Sequence, residues 1–199
     1  MSEPSPIAIK TKKILASAWG SLTEYVLGVK RADGTSVELI REVYDHGNAA
    51  AILLLDSERR VVTLVRQFRL PPHLNGDDGT MVEVCAGLLD GDDPETCAKK
   101  EALEETGIVP QRLQFAFEIY ASPGSLSEKV HCFVGFYSEN DRVNAGGGLA
   151  DEGEEIELVE IGFEKVLDMI ANGEIIDAKT VALVQHAALK GFFANPPRT

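Results

Sequence analysis

Residues 86–108 read AGLLDGDDPETCAKKEALEETGI, and the punctuation of this stretch decides the fold. Asp93 followed by Pro94 supplies an N-cap and a proline at the first helical position, and Gly107 supplies the stop, so the spacing predicts a helix over 94–106. On that helix Glu101, Glu104 and Glu105 stand at i, i+3 and i+4. Glu101 and Glu105 therefore lie one turn apart on one face, with Glu104 beside them. Like charges so spaced cost ~0.2–0.5 kcal/mol per pair in an isolated helix, and a divalent cation reverses the sign. The stripe offers hard oxygens and no His or Cys, which makes Mg2+ the natural ion and Mn2+ its substitute. Taken alone, an acidic helix face is more often solvated surface than a metal site. A calcium loop is the other rival: Asp90, Asp92 and Glu101 fall at the first, third and twelfth positions of an EF-hand pattern. Pro94 in place of the fifth ligand, and Glu95 where the sharp turn needs glycine, exclude it.

Working outward, the segment from Ile14 to Ala50 reads as short strands, with β-rich runs around 25–29 and 36–44 flanking the Asp33-Gly34 turn. Strand-like runs follow at 51–55, 60–69 and 81–85, with Pro71-Pro72 and NGDDG as loop between the last two. Beyond the helix, 115–120, 130–137 and 155–161 read as strands. Two late helices are expected over 163–172, stopped by Gly173, and 179–190, stopped by Gly191 and capped near Asp177. Val181, Leu183, Val184 and Leu189 should cover the sheet. His131 and Cys132 lack a second ligand at metal spacing and read as packing residues. The glycine triplet 146–148 is not followed by GK[ST], so it is no triphosphate loop, and mobility suits it better. Mixed strands around one central helix, then two more helices, indicate an α/β fold: a layered α/β/α sandwich with a mixed sheet and an N-terminal antiparallel β extension. The division expected is 1–48 for the extension and 49–199 for the sandwich.

The chain has 199 residues with 32 acidic against 19 basic side chains, a net charge of −13. That length suits one domain with an appendage, with ~70% of the unfolded surface buried on folding. No stretch approaches the roughly 20 uncharged apolar residues of a bilayer crossing. The acidic field repels polynucleotide phosphates, so a phosphate-bearing ligand must be small and met by local cations or metal. Cys85, Cys97 and Cys132 are an odd number without CxxC spacing, which argues against a disulfide framework and fits a reducing compartment. The opening MSEPSPIAIKTKKILASAW lacks a signal-peptide pattern, and a cytoplasmic location is expected.

The segment from Ala86 to Ile108 resembles the box of the Nudix hydrolases, which cut nucleoside diphosphates linked to another moiety. That box is a glycine, a distant glutamate, and then Arg-Glu-aliphatic-x-Glu-Glu-x-Gly-aliphatic. Here the second half reads KEALEETGI from Lys100 to Ile108. It departs in two places: Lys100 replaces the usual Arg, and the gap from Gly87 to Glu101 is one residue shorter. Asp92 or Asp93 is left as the counterpart of the early glutamate. REVYDHGNAAAILLLD, VRQFRL, IYASPGSLSEKVHCFVGFY and NAGGGLADEGEEIELVEI resemble the ADP-ribose and GDP-mannose branch of that family.

The resemblance implies hydrolysis of a sugar nucleotide's pyrophosphate bond, GDP-mannose first and ADP-ribose as the alternative. It implies Mg2+ held by Glu101, Glu105, the Ala86 carbonyl and the loop residue Glu152, with Glu104 as ligand or bound through water. Glu152 or Glu128 would take the proton of the attacking water. Arg41, Arg69 and Lys179 match substrate-contacting positions where cations would meet the phosphates, with Arg66 as the next candidate. Two arginines three apart on one strand would face opposite ways. Glu42, Gly87, Leu88 and Glu128 match other substrate positions. In that branch the β extension belongs to a homodimer whose subunits share each site, and Trp19 lies where an aromatic of the partner stacks near the substrate. A lone Trp is otherwise more often a core or interface residue. A non-catalytic nucleotide-sensing module is the remaining alternative. It predicts loss of a metal carboxylate, and Glu101, Glu104 and Glu105 are all present.

Overall fold

A computed structural model describes residues 6–148 and 155–193. One compact unit comprises Met1–Asn48 with Tyr120–Lys129, and the other Ala49–Ile119 with Val130–Thr199.

The first unit is an antiparallel sheet in the order β1 (Ile7–Ser17), β2 (Ser21–Lys30), β3 (Ser36–Asp45). Asp33 closes the β2–β3 turn by accepting from the backbone N–H of Thr35 at 2.9 Å and from its hydroxyl at 2.6 Å. The chain returns at 120–129 to pair with the end of β3: the Tyr44 N–H donates to Ser125 O at 2.9 Å. The sequence pattern misses the first half of β1. Register shifts between Ile9 and Thr11 and between Ile14 and Ala16 break its two-residue alternation, and all eleven residues are exposed, so backbone pairing rather than an apolar face defines it.

The second unit is built on a seven-stranded mixed sheet. Its order is β10 (Glu157–Gly162), β5 (Val61–Phe68), β4 (Ala49–Asp56), β9 (Lys129–Phe136), β8 (Arg112–Tyr120). β6 (Thr80–Glu83) pairs with β5, and β7 (Cys85–Leu88) pairs with β4. Where the sequence reads one strand there are thus two, and the chain changes partner at Val84. Pro71-Pro72 begin a one-turn helix, α1 (Leu70–Leu74), rather than a loop, because proline suits the first helical turn.

Every residue of β4 is buried, and its alternation divides the core. Ala49, Ala51, Leu53 and Leu55 pack with α3 (Phe163–Ala171) and α4 (Ala178–Leu189) through Val166, Leu183, Val184 and Ala187. Ala50, Ile52 and Leu54 pack with α2 (Pro94–Thr106) through Cys97, Ala98 and Ala102. The result is the α/β/α sandwich expected from the sequence. Leu189 departs from expectation: it is exposed at the last position of α4 and covers nothing. Among the described residues no helix is long and apolar enough to cross a membrane.

Candidate active site

α2 carries the acidic stripe. The Asp93 carboxylate caps it, accepting from the backbone N–H groups of Glu95 and Thr96 at 3.1 Å each, and Gly107 closes it at φ 70°. Asp93, one of the two residues left as counterparts of the family's early glutamate, is thus spent on the cap. Glu105 is buried and Glu101 and Glu104 are half-buried. The Glu101 carboxylate lies against the backbone of Gly87, where a Cβ would collide with both of its oxygens. Ala86, Gly87 and Leu88 are half-buried on β7, and the Cys97 thiol beneath them donates toward Leu88 O at 3.3 Å. Two neighbouring thiols register the concentrated negative charge. Burial, followed by Glu105, with which it hydrogen-bonds, pushes the Cys85 thiol well up. Burial and then Glu101 push Cys97 up to about 11. Glu104 foremost, then Glu101, raises the Lys100 ammonium.

A second cluster lies where β5, β6 and α4 begin or end. β5 stops at Phe68, so Arg69 is outside the strand and its relation to Arg66 is not set by strand alternation. Arg66 turns to Glu157 at 2.8 Å. Arg69 donates through Nε to Glu83 Oε2 at 2.8 Å, and Gln67 Nε2 donates to the same oxygen at 3.1 Å. Lys179 Nζ donates to Asp177 Oδ1 at 2.7 Å and stands 3.8 Å from Glu83 Oε1. Asp177 caps α4 through the backbone N–H of Thr180 at 2.9 Å, and the Thr180 hydroxyl accepts from the Val84 N–H at 2.8 Å. Burial pushes the Asp177 carboxyl up, but the Lys179 charge and the donors of Lys179 and Thr180 outweigh it and hold it below the usual range.

The remaining expected residues lie in the first unit. Trp19 is 72% exposed and stacks on His46 with ring centroids 4.9 Å apart. Arg41 is exposed on β3 and donates to Ile40 O at 2.7 Å, Glu42 follows it, and Glu128 is half-buried before β9.

Residues 45–184 match the NUDIX domain. The chain belongs to the Nudix family. Residues 6–44 of this Nudix chain match the GDP-mannose pyrophosphatase NudK N-terminal domain. It is 45% identical over 192 residues to the GDP-mannose pyrophosphatase of Pectobacterium atrosepticum, covering 96% of this chain and 98% of that protein. It is 46% identical over 180 residues to the GDP-mannose pyrophosphatase of Cronobacter sakazakii, covering 90% and 93%. A solved structure described as an ADP compounds hydrolase shares the fold, with TM-score 0.71 at 16% identity over 96% of this chain and 97% of that one.

Nudix hydrolases use divalent metal ions, and the donor set on α2 and β7 fits one. Glu101 rests against Gly87, the residue after Ala86, Glu105 follows one turn later, and all these donors are hard oxygens. Among the described residues no three His, Cys, Asp or Glu side chains converge on one point, so a site here also needs the backbone carbonyl or Glu152. Glu152 lies outside the described residues.

The glycine triplet makes specific contacts that its composition does not show: the Gly147 and Gly148 N–H groups donate to Glu105 O at 2.9 Å and Glu104 O at 3.1 Å, capping the carboxylate helix of the Nudix box. Cys132 is buried as expected, while His131 Nδ1 stands 3.1 Å from Glu118. Sequence reasoning missed Glu83, Asp177's hold on Lys179, and Thr180. One signal was available for Glu83, an acid set in the otherwise apolar run MVEVCAG.

Proposed function

We propose that this chain is a Nudix sugar-nucleotide pyrophosphatase that splits GDP-mannose into GMP and mannose 1-phosphate with Mg2+. The observation that carries the reading is the intact Glu101, Glu104, Glu105 set on α2, packed against Gly87 in a chain similar along nearly its whole length to two GDP-mannose pyrophosphatases.

Phosphoryl transfer needs positioning and charge neutralisation more than covalent help. Glu101, Glu105 and the Ala86 carbonyl hold the ion, with Glu104 as ligand or bound through water and Glu152 completing the set. A bound Mg2+ neutralises pyrophosphate oxygens and acidifies water. Arg69 and Lys179 meet the phosphates, which a chain of net charge −13 cannot attract by its overall field. Glu152 or Glu128 takes the proton of the attacking water. Arg41 is a further cation toward the substrate, Glu42 accepts from base or sugar, Gly87 and Leu88 contact the substrate, and Trp19 stacks on the substrate bound by a second copy of the chain.

Residues 1–48 serve dimerisation and substrate contact, and residues 49–199 form the Nudix domain. The homodimer reading is supported by β1, an edge strand exposed along its length with Ile7, Ile9, Ile14 and Leu15 uncovered. The acidic balance and the three buried free cysteines support a cytoplasmic enzyme that binds neither nucleic acid nor membrane.

The test is product analysis after incubation with Mg2+ and, separately, equal concentrations of GDP-mannose and ADP-ribose. Faster release of GMP and mannose 1-phosphate is expected. Faster release of AMP and ribose 5-phosphate would reassign the substrate, and turnover of neither would overturn the enzymatic reading.

A further inference from the structure

The described residues include four buried acids: Asp56, Glu83, Glu105 and Asp177. Asp56 closes the turn at Arg59, Glu105 lies in the metal-binding stripe, and Asp177 caps α4. Glu83 has no such task. It lies in the interior, with a side chain 5% exposed, accepts from Gln67 and Arg69 around the end of β5, and faces Lys179 on α4. Its two oxygens are divided: Oε2 takes Arg69 and Gln67, and Oε1 faces Lys179.

We propose that Glu83 is a positioning residue that holds Arg69 and Lys179 as a pair for the phosphates of the sugar nucleotide. The proposal rests on the reading that these two cations contact the substrate.

Lys179 is held to its own helix by Asp177 at 2.7 Å, whereas Arg69 is not fixed by its own element. Arg69 follows the end of β5 and its side chain is 40% exposed, so without a partner it samples many rotamers. Bonding through Nε removes most of that freedom and, among the described residues, leaves its two terminal nitrogens without a hydrogen bond. Those are the atoms that grip phosphate oxygens two at a time. Lys179 comes from α4, and among the described residues Glu83 is the acid that faces both it, at 3.8 Å, and Arg69. Glu83 is itself anchored: it pairs with Val65 in the β5–β6 ladder, and the next residue, Val84, donates its N–H to Thr180 on α4. Three residues on is Ala86. The five residues from Glu83 to Gly87 thus carry both the acid that spaces the cations and the carbonyl assigned to the metal.

This role separates from an electrostatic one by sign. Removing the Glu83 charge makes the cluster more positive, which by itself tightens phosphate binding. Losing the fixed geometry slows turnover instead. The experiment is steady-state kinetics on GDP-mannose with Mg2+ for Arg69→Ala, Lys179→Ala, Glu83→Gln and the Glu83→Gln/Arg69→Ala pair. Arg69→Ala and Lys179→Ala are expected to lower kcat/KM at least about tenfold each. Glu83→Gln is expected to lower kcat about tenfold, with KM and the half-saturating Mg2+ concentration changed by less than about threefold. In the Arg69→Ala background the same change should cost at least about threefold less than alone, because part of what Glu83 positions is gone. An unchanged kcat for Glu83→Gln, or an undiminished loss in the Arg69→Ala background, overturns the positioning role alone. Wild-type kcat/KM in Arg69→Ala and Lys179→Ala overturns the substrate reading of the cations and the proposal with it. Should Glu83→Gln melt more than about 10 °C lower, Glu83→Asp takes its place in the same cycle. It keeps the charge and withdraws the carboxylate by one methylene.

Discussion

The carboxylate of Glu101 lies so close to the backbone of Gly87 that no side chain fits between them. The glycine of the box is therefore a contact surface for the acid fourteen residues later, beyond any part it plays in a turn. Gly87→Ala must push Glu101 away from residue 87. The expected result is a rise of about 10- to 100-fold in the Mg2+ concentration for half-maximal hydrolysis, the range found when groups supporting a metal ligand are lost. A titration of activity against Mg2+ measures it, and an unchanged midpoint would remove Glu101 from the metal site.

Glu105→Gln separates function from stability in one variant. It removes a buried charge one turn from Glu101, so the metal-free protein should be no less stable, with ~0.2–0.5 kcal/mol of repulsion relieved. Hydrolysis of GDP-mannose should fall roughly 100-fold. Melting in EDTA alongside a product assay checks both halves, and wild-type turnover would show that the assignment of Glu105 to the metal is wrong.

Gly146 stands at φ 65°, and a Cβ there would meet Glu105 O at 2.5 Å and the Thr106 Cα at 2.6 Å. Gly146→Ala combines an unfavourable backbone conformation with a collision against the end of the carboxylate helix. A loss of about 1–3 kcal/mol is expected, seen as a lower urea midpoint with an unchanged slope. A midpoint equal to wild type would mean that this contact yields without cost.

Asp177 gives a pH dependence with a definite sign. Its folded-state carboxyl is held below the ordinary range despite burial, chiefly by Lys179. A depressed acid contributes stability that is fully present above the unfolded value, about 3.9, and is lost as pH falls through the lower folded one. Asp177→Asn keeps an oxygen for the cap and removes the titration. Its acid-unfolding curve should fall less steeply below about pH 4 than wild type. Parallel curves would show that Asp177 does not contribute.

Trp19 is the single tryptophan of the chain and is mostly exposed, so its fluorescence reports one site. If it stacks on the substrate of a partner subunit, GDP-mannose should quench it, and Trp19→Ala should raise KM about tenfold, as expected for a lost base-aromatic contact. Light scattering at micromolar concentration should give twice the chain mass. A monomer would take away both the shared site and the role of Trp19.

The helix over 94–106 was legible to the residue because its signals are local: a cap, a proline and a glycine. β4 was legible because burial on both faces leaves an uninterrupted apolar run. β1 was partly hidden because two bulges break its alternation, and the division of β6 from β7 was hidden because a change of pairing partner leaves no mark on hydropathy. The acidic stripe of α2 could be read because its carboxylates stand a helical turn apart. Glu83 could not, since its meaning depends on Arg69 and Lys179, which are distant in sequence and meet only in the fold. The contacts of the glycine triplet were not legible because composition shows freedom of the backbone, whereas hydrogen bonds to Glu104 and Glu105 show how that freedom is used.

β4 has consequences for how this sequence can drift. Along β8 exposed residues recur at Arg112, Phe115, Glu118 and Tyr120, so substitutions there should be tolerated in a broken rhythm. β4 has no such relief: neighbouring residues belong to different cores, and a change of volume at Leu53 is felt by α3 and α4 while one at Leu54 is felt by α2. A saturation library would show a solid block of intolerance from Ala49 to Asp56. Lineages of this protein would then vary around that strand while leaving it nearly untouched.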